Sequence, residues 1–495
     1  MKDSLTTSPD QTPSGSEPAA SRSGLTLAVI ALGCGTFALL QTIVAPALPV
    51  LQRDLHTSTS GAAWVFTSFL LASSVATPIA GRLGDMFGKK RVLVISLSVL
   101  AAGSFMAAIV TSLPLLIVAR TIQGLGGAIY PLGFGIIRDE FPRERVASAI
   151  ALVSSLLGIG GGLGIVLAGP ILQHLSYHWL FWILLVMTLI STVAAIVFIP
   201  ESPIREPGRV SWLGGGLLSA WLVALLVAVS EGSSWDWGSA KTLGLFVLAA
   251  ILAATWVKVE SRSRQPLVDM KMMRLSRVWT TNTAALLLGF GQYGGLILIP
   301  EFVQAPTSTG YGYGASVTQA GLFLIPTTIA SMIASPISGR LSNRVGSKVP
   351  LLLGAIVSAI AFGILAVAGP RWEIYLAATL IGIGVGLAFA SMANLIVEAV
   401  PPGQTGVATG MNTIARTVGG AIGAAIAASV LGSHLLASGE PSKHGYTITF
   451  LICVAVLIAA VLASLAVPGR RGRQAQAPKV VPLMKTNSSD WRDAA

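Results

Sequence analysis

The chain has 495 residues, of which 53% are apolar and 11% charged, with a net charge of +12 and a mean hydropathy of +0.76. A water-soluble domain of this length cannot carry so little polar surface, so the sequence describes a polytopic membrane protein. The basic residues are spread over short loops beside apolar runs, which excludes nucleic acid as a partner, and the two cysteines, Cys34 and Cys453, supply neither a disulfide framework nor a metal cluster.

Residues 1–24 are rich in Ser, Thr and Pro, lack the layout of a cleavable signal, and predict a disordered tail. Fourteen apolar runs follow: 25–50, 61–81, 92–112, 114–137, 146–171, 178–199, 211–230, 241–258, 279–303, 316–338, 349–369, 373–397, 406–432 and 446–467. Each is near the ~20 residues needed to cross a bilayer core, and uninterrupted runs of this kind span as helices. The expected fold class is therefore an all-α integral membrane bundle of fourteen transmembrane helices. Its expected units are a six-helix half, 25–200, an inserted helix pair with basic linkers, 201–278, a second six-helix half, 279–467, and a basic tail, 468–495. Arg470, Arg471, Arg473 and Lys479 of that tail would lie against anionic lipid headgroups or serve only as a topology signal.

An even number of spans puts both termini on one face. Of the 32 Lys and Arg, Arg53, Lys241, Arg371 and Lys443 fall on the far side and Arg120 and Arg416 inside spans; all the others lie on the terminal side. That bias predicts cytoplasmic termini in a plasma membrane.

The stretch GRLGDMFGKKR, Gly81 to Arg91, reads as a short polar gap between the second and third spans. A degenerate copy, GRLSNRVGSK, recurs in the second half in constant register: Pro78 with Pro336, Gly81 with Gly339, Arg82 with Arg340, Gly88 with Gly346, Lys90 with Lys348. Gly124, Gly126, Ala128 and Pro142 likewise match Gly384, Gly386, Ala388 and Pro402. Duplicated, Gly-rich membrane halves are a way of building a midplane site that two rocking bodies expose alternately.

Charges inside spans are costly and mark function by default. Arg120 sits near the start of its span, where snorkelling to the headgroups is the alternative; Arg416 lies deeper. Glu301 and Glu398 are the acids at membrane depth, near opposite ends of their spans. Gln41, Gln123, Tyr130, Gln292, Tyr293, Asn394, Asn412 and Arg416 are the polar or aromatic residues placed to line a cavity between halves, the alternative for each being an interhelical hydrogen bond. Amides and phenols with few charges suit a lipophilic or amphipathic small molecule better than a phosphate compound. No phosphate loop, metal set or nucleophile with a base is present to support an enzyme, and no cofactor is implied.

These residues resemble the major facilitator superfamily, and within it the fourteen-span drug:proton antiporters. Gly81, Leu83, Asp85, Gly88, Lys89, Lys90 and Arg91 are similar to the family's signature after the second span, with Gly339, Arg340 and Gly346 as its second copy. The resemblance implies that Asp85 helps lock the cytoplasmic side shut; Asn343 stands at the equivalent place. LIVARTIQGLGGA around Arg120 is similar to the motif linked to proton movement or substrate binding. Gly158, Gly160, Gly161, Gly162, Gly164, Gly169 and Pro170 resemble the antiporter motif of the fifth span, although Gln173 and His174 replace its last glycines. Gln41, Thr42, Ile43 and Val44 match the first-span motif, but Leu40 stands where an Asp is common. The implied function is proton-driven efflux of drugs or antibiotics, with protons, lipids and an amphipathic substrate as partners in a monomer, and Arg120, Glu301 and Glu398 as coupling candidates. Uniport or import of another solute, or a transport-inactive sensor, remain alternatives.

Overall fold

The computed structural model describes residues 17–57, 59–201 and 211–469. Fourteen of its helices are long and apolar enough to cross a membrane. They are α1 (Glu17–Thr42), α2 (Thr59–Phe87), α3 (Lys89–Ile109), α4 in two pieces (Leu113–Leu125 and Ile129–Glu140), α5 (Arg143–His174), α6 (His178–Phe198), α7 (Trp212–Trp235), α8 (Ala240–Arg262), α9 (Ser276–Gln304), α10 (Val317–Val345), α11 (Lys348–Val367), α12 (Arg371–Ala399), α13 (Thr405–Ser433) and α14 (Lys443–Ala466).

Several boundaries correct the sequence reading. α1 begins at Glu17, inside the expected tail, because Pro18 presets a first-turn φ and Ala19 and Ala20 favour the helix; residues 1–16 and the basic tail from 470 lie outside the described residues. The first run does not stay helical to residue 50. It breaks after Thr42 into a 3-10 turn, Ala45–Ala47, and a short helix, Leu48–Asp54, where Pro46 and Pro49 lack the N–H that continuation requires. The polar gap at Gly81–Arg91 is not a loop: α2 runs through to Phe87, α3 starts at Lys89, and Gly88, at φ 109°, makes the turn. Gly346, at φ 92°, does the same between α10 and α11. A helix satisfies its own backbone, so it can carry charged residues beyond the apolar core; only the reversal demands glycine.

Each half builds its own core. One is built mainly from α1–α6, including Phe37, Leu97, Ile150 and Phe181, and takes in Ala393 and Val397 of α12; the other, of α9–α14, includes Phe302, Phe362, Met392 and Phe450. The halves meet where α5 packs on α10 and α12, and where α2 packs on α13. The inserted pair lies outside that second seam: α7 packs on α2 and α13, and α8 packs on α7 with only 17% of its apolar window buried. A third cluster, with Leu71, Leu218, Leu222, Leu226 and Met411, joins α7 to both halves.

Candidate functional site: the seam between the halves

On the face that carries the termini, α2 and α13 touch backbone to backbone. A Cβ on Gly81 would come within 2.6 Å of the Gly406 carbonyl oxygen, and a Cβ on Gly406 within 2.6 Å of that of Gly81, so neither position admits a side chain at this separation. One turn on, the buried Asp85 accepts a hydrogen bond from the Val407 backbone N–H at 3.4 Å, at the start of α13, where the unpaired amides and the dipole favour a carboxylate. Lys89 is fully buried beside it, 3.8 Å from Asp85 Oδ1 and 2.7 Å from Asp139 Oδ2. Arg138 crosses the seam, donating to the Val400 carbonyl at 2.8 Å, the Pro401 carbonyl at 3.3 Å and the Thr405 hydroxyl at 2.6 Å. Arg91 pairs with Glu201 at 3.5 Å on the surface, while Lys90 is half-buried and forms no ion pair among the described residues. Sequence reasoning missed Arg138 and Asp139 because it ended the fourth span one residue short of them.

The second copy uses the same geometry with weaker chemistry. A Cβ on Gly339 would meet Ser148 Cα at 2.9 Å, so α10 lies against α5 as α2 lies against α13. Asn343, in the place of Asp85, donates to the Glu144 carbonyl at 3.0 Å in the first turn of α5. Asn394 donates to the Ala147 carbonyl at 3.3 Å. Arg340 is exposed. Glu398, at the end of α12, pairs with Arg277 at 3.3 Å and accepts from Ser347 at 3.4 Å, which places it in a terminal-face ion pair.

The glycines of α5 serve two neighbours. Gly160 and Gly164 face α1, where the Thr42 hydroxyl donates to the Gly160 carbonyl at 2.7 Å; Gly162 and Gly169 face Thr328 and Thr318 of α10. Pro170 lies inside α5, and Gln173 beyond it donates to Thr318 at 3.1 Å. Gly158 and Gly161 lie outside the described positions. The α5–α10 seam is thus closed from end to end. The α2–α13 seam is not: on the far side a cavity of about 230 Å3 separates the helices, lined by Phe66, Thr67, Leu70, Thr417, Gly420 and Ala424, with Ser230 of α7 behind it. Glu301 stands exposed at the far end of α9.

Between the two faces, Arg120 is fully buried and turned into the protein, which removes the snorkelling alternative. It donates from Nε to the Val65 carbonyl at 3.0 Å, and from Nη1 to the Leu40 carbonyl at 3.3 Å and to Gln123 Oε1 at 2.8 Å; its guanidinium lies 4.3 Å from the centre of the Phe69 ring. Gln123 donates onward to Ser104 at 3.0 Å, and Asn412 donates to Asn282 at 3.0 Å, so both tie helices together within one half. Gln41 and Gln292 are half-buried; the side chain of Tyr293 lies outside the described residues. Tyr130 packs edge-on against Phe37, with its buried hydroxyl unpartnered, and Arg416 stacks 4.7 Å from the centre of the Phe389 ring. The arrangement offers two halves, a polar latch on one face, a cavity on the other, and cations with aromatic partners between them.

The model of the Major Facilitator Superfamily matches residues 30–424, with a second match over 313–493. The chain is 29% identical over 390 residues to the tetracenomycin C resistance and export protein of Streptomyces glaucescens, covering 78% of this chain and 71% of that one. It is 33% identical over 308 residues to multidrug resistance protein 3 of Bacillus subtilis, covering 61% and 58% respectively, and 30% identical to the multidrug resistance protein Stp of Mycobacterium tuberculosis, covering 78% and 72%. Among solved structures it resembles the human organic anion transporter MFSD10 in fold, with a TM-score of 0.63 at 15% identity over 88% of this chain and 99% of that one. With two duplicated six-helix halves joined along α5–α10 and α2–α13, and with most of its length matched by the family model, the chain belongs to the major facilitator superfamily of membrane transporters.

Proposed function

We propose that this protein exports amphipathic drugs and antibiotics from the cytoplasm by alternating access, driven by inward proton flow, with both termini cytoplasmic. The observation that carries this reading is the asymmetry of the α2–α13 seam: latched by Gly81–Gly406, Asp85 and Arg138 on the terminal face, and parted around a cavity on the far face. A transporter caught open to the outside has this form. The excess of Lys and Arg on the terminal face supports its cytoplasmic placement, and the names of the export and multidrug resistance relatives support the substrate class.

Opening the latched face re-solvates Asp85, Lys89 and Asp139 together, so it exchanges their contacts with one another for water. Arg120 acts with them as a fixed charge that couples α1, α2 and α4; Glu301 and Glu398 are carrier candidates at the two mouths. In inverted vesicles that expose the terminal face, an imposed proton gradient, acid inside, should drive accumulation of an amphipathic dye, with lumenal pH rising as it enters. Accumulation independent of the gradient would favour uniport, and no movement of any dye would sink the export reading.

A further inference from the structure

The linker that returns the inserted pair to the second half, residues 263–275, turns basic side chains outward: Arg264, Lys271 and Arg274 are exposed. Leu267, Val268 and Met272 between them are buried, in the same cluster as Val400 at the end of α12 and Val407 and Ala408 at the start of α13. Val407 is the residue whose backbone N–H Asp85 accepts from. The linker is therefore a strap laid against the second-half side of the latch, held there by apolar residues withdrawn from water.

One carboxylate fixes the strap. Glu260, in the last turn of α8, is 2% exposed and accepts from the Val268 backbone N–H at 3.1 Å. Its other oxygen lies against the first turn of α7, where a Cβ on Gly214 would collide with it and where unpaired amides and the helix dipole favour a negative charge. A carboxylate withdrawn from water is costly unless such contacts compensate it, so they set the side chain and, with it, the strap. At the same level a Cβ on Gly215 would lie 3.7 Å from Leu267 of the strap and 3.7 Å from Ile79 of α2, two residues before Gly81. Strap, α7 and α2 thus meet beside the latch.

α7 itself straddles the seam. It packs on α2 of the first half and on α13 of the second, and its buried Leu218 and Leu222 share one cluster with Leu71 of α2 and Met411 of α13. Toward the far face, Leu226 and Ser230 wall the cavity where α2 and α13 have already parted. The same two helices cannot part on the terminal face unless α7 releases one of them. We propose that the inserted pair is a clamp on the latched form and that Glu260 is its positioning residue: by fixing the strap to the first turn of α7, it holds α7 across the terminal end of the seam and sets how often that face opens. This inference rests on the alternating-access part of the export reading and gives a role to the two helices that lie outside the duplicated halves.

The test reads both faces of the full-length protein with an impermeant maleimide and single reporter cysteines. Ala408→Cys, just inside the latch, is alkylated from the terminal face in inverted vesicles, and Ala424→Cys, on the far cavity, from the far face in right-side-out vesicles. Glu260→Ala should raise the first rate roughly tenfold, the population change that loss of one hydrogen bond to a charged group brings, and leave the second no higher. Glu260→Gln, which keeps an acceptor for the Val268 N–H, should give a smaller rise. Leu267→Ala, which leaves Glu260 in place, should act in the same direction, and Lys271→Ala on the exposed side of the strap should change neither rate. Unchanged terminal-face rates in both Glu260→Ala and Leu267→Ala would overturn the clamp, and so would a rise at both faces, which marks a loosened fold. If an amphipathic dye and a proton gradient shift the Ala408→Cys rate while these variants do not, the clamp falls and the export reading stands. Variant rates as expected, in a protein whose rate ignores both dye and gradient, would keep the clamp and count against proton-driven export.

Discussion

Gly81→Ala separates the halves by a calculable amount. The new Cβ would sit 2.6 Å from the Gly406 oxygen, 2.7 Å from its carbonyl carbon and 3.2 Å from Val407 N, all backbone atoms that no rotamer change can move. A relaxed carbon–oxygen contact is about 3.3 Å or more, so α2 and α13 must part by roughly 0.7 Å. Overpacking of this kind costs about 1–3 kcal/mol. The Asp85–Val407 contact, already 3.4 Å, is lost as well, removing a carboxylate–dipole attraction of about 0.3–1 kcal/mol. Each 1.4 kcal/mol is about a tenfold change in population, so the latched form should lose between about ninefold and several hundredfold relative to the open one. A cysteine placed at Ala408, buried just inside the latch, reads this out through its alkylation by an impermeant maleimide in inverted vesicles; the native Cys34 and Cys453 are buried. Gly81→Ala should raise that rate at least about ninefold, whereas Gly363→Ala, where a Cβ meets nothing within 4 Å, should not. An unchanged rate would refute the close-approach argument.

Lys89→Met leaves Asp139 and Asp85 buried without their shared cation and should destabilise the fold by about 3–5 kcal/mol, seen as a lower melting temperature in detergent; adding Asp139→Asn should restore part of it. Asp85→Asn should impair transport without affecting membrane insertion, and normal kinetics would remove Asp85 from the latch. Arg120→Ala should abolish transport and Arg120→Lys reduce it, because an ammonium cannot reach Val65, Leu40 and Gln123 at once; wild-type flux in the Ala variant would contradict this. Asn343→Asp should slow transport, since it exchanges a donor to the Glu144 carbonyl for a carboxylate facing that oxygen.

The spans and their repeat were legible because hydropathy and glycine spacing are local signals. The resemblance of Gly81–Arg91 and its copy pointed to the right family for the same reason. Boundaries were harder, since a membrane helix may carry charges past the apolar core: α2 and α10 hid their last turns inside what reads as a loop, and α4 hid Arg138 and Asp139. Polar residues in mid-span were also ambiguous. Gln123, Asn394 and Asn412 are held in interhelical hydrogen bonds that depend on partners distant in sequence, such as Ser104, Ala147 and Asn282. Arg120 is buried because neighbouring helices supply carbonyls and the Phe69 ring, which no local window contains.

Alternating access along α2–α13 is tested most directly by two spin-label distances measured in nanodiscs with and without bound drug: Lys90 to Gln404 on the terminal face, and Gly61 to Gly432 on the far face. The two should change in opposite directions, the terminal pair lengthening as the far pair shortens when protons leave and drug binds from the cytoplasmic side. Distances that stay fixed, or that lengthen together, would contradict the account.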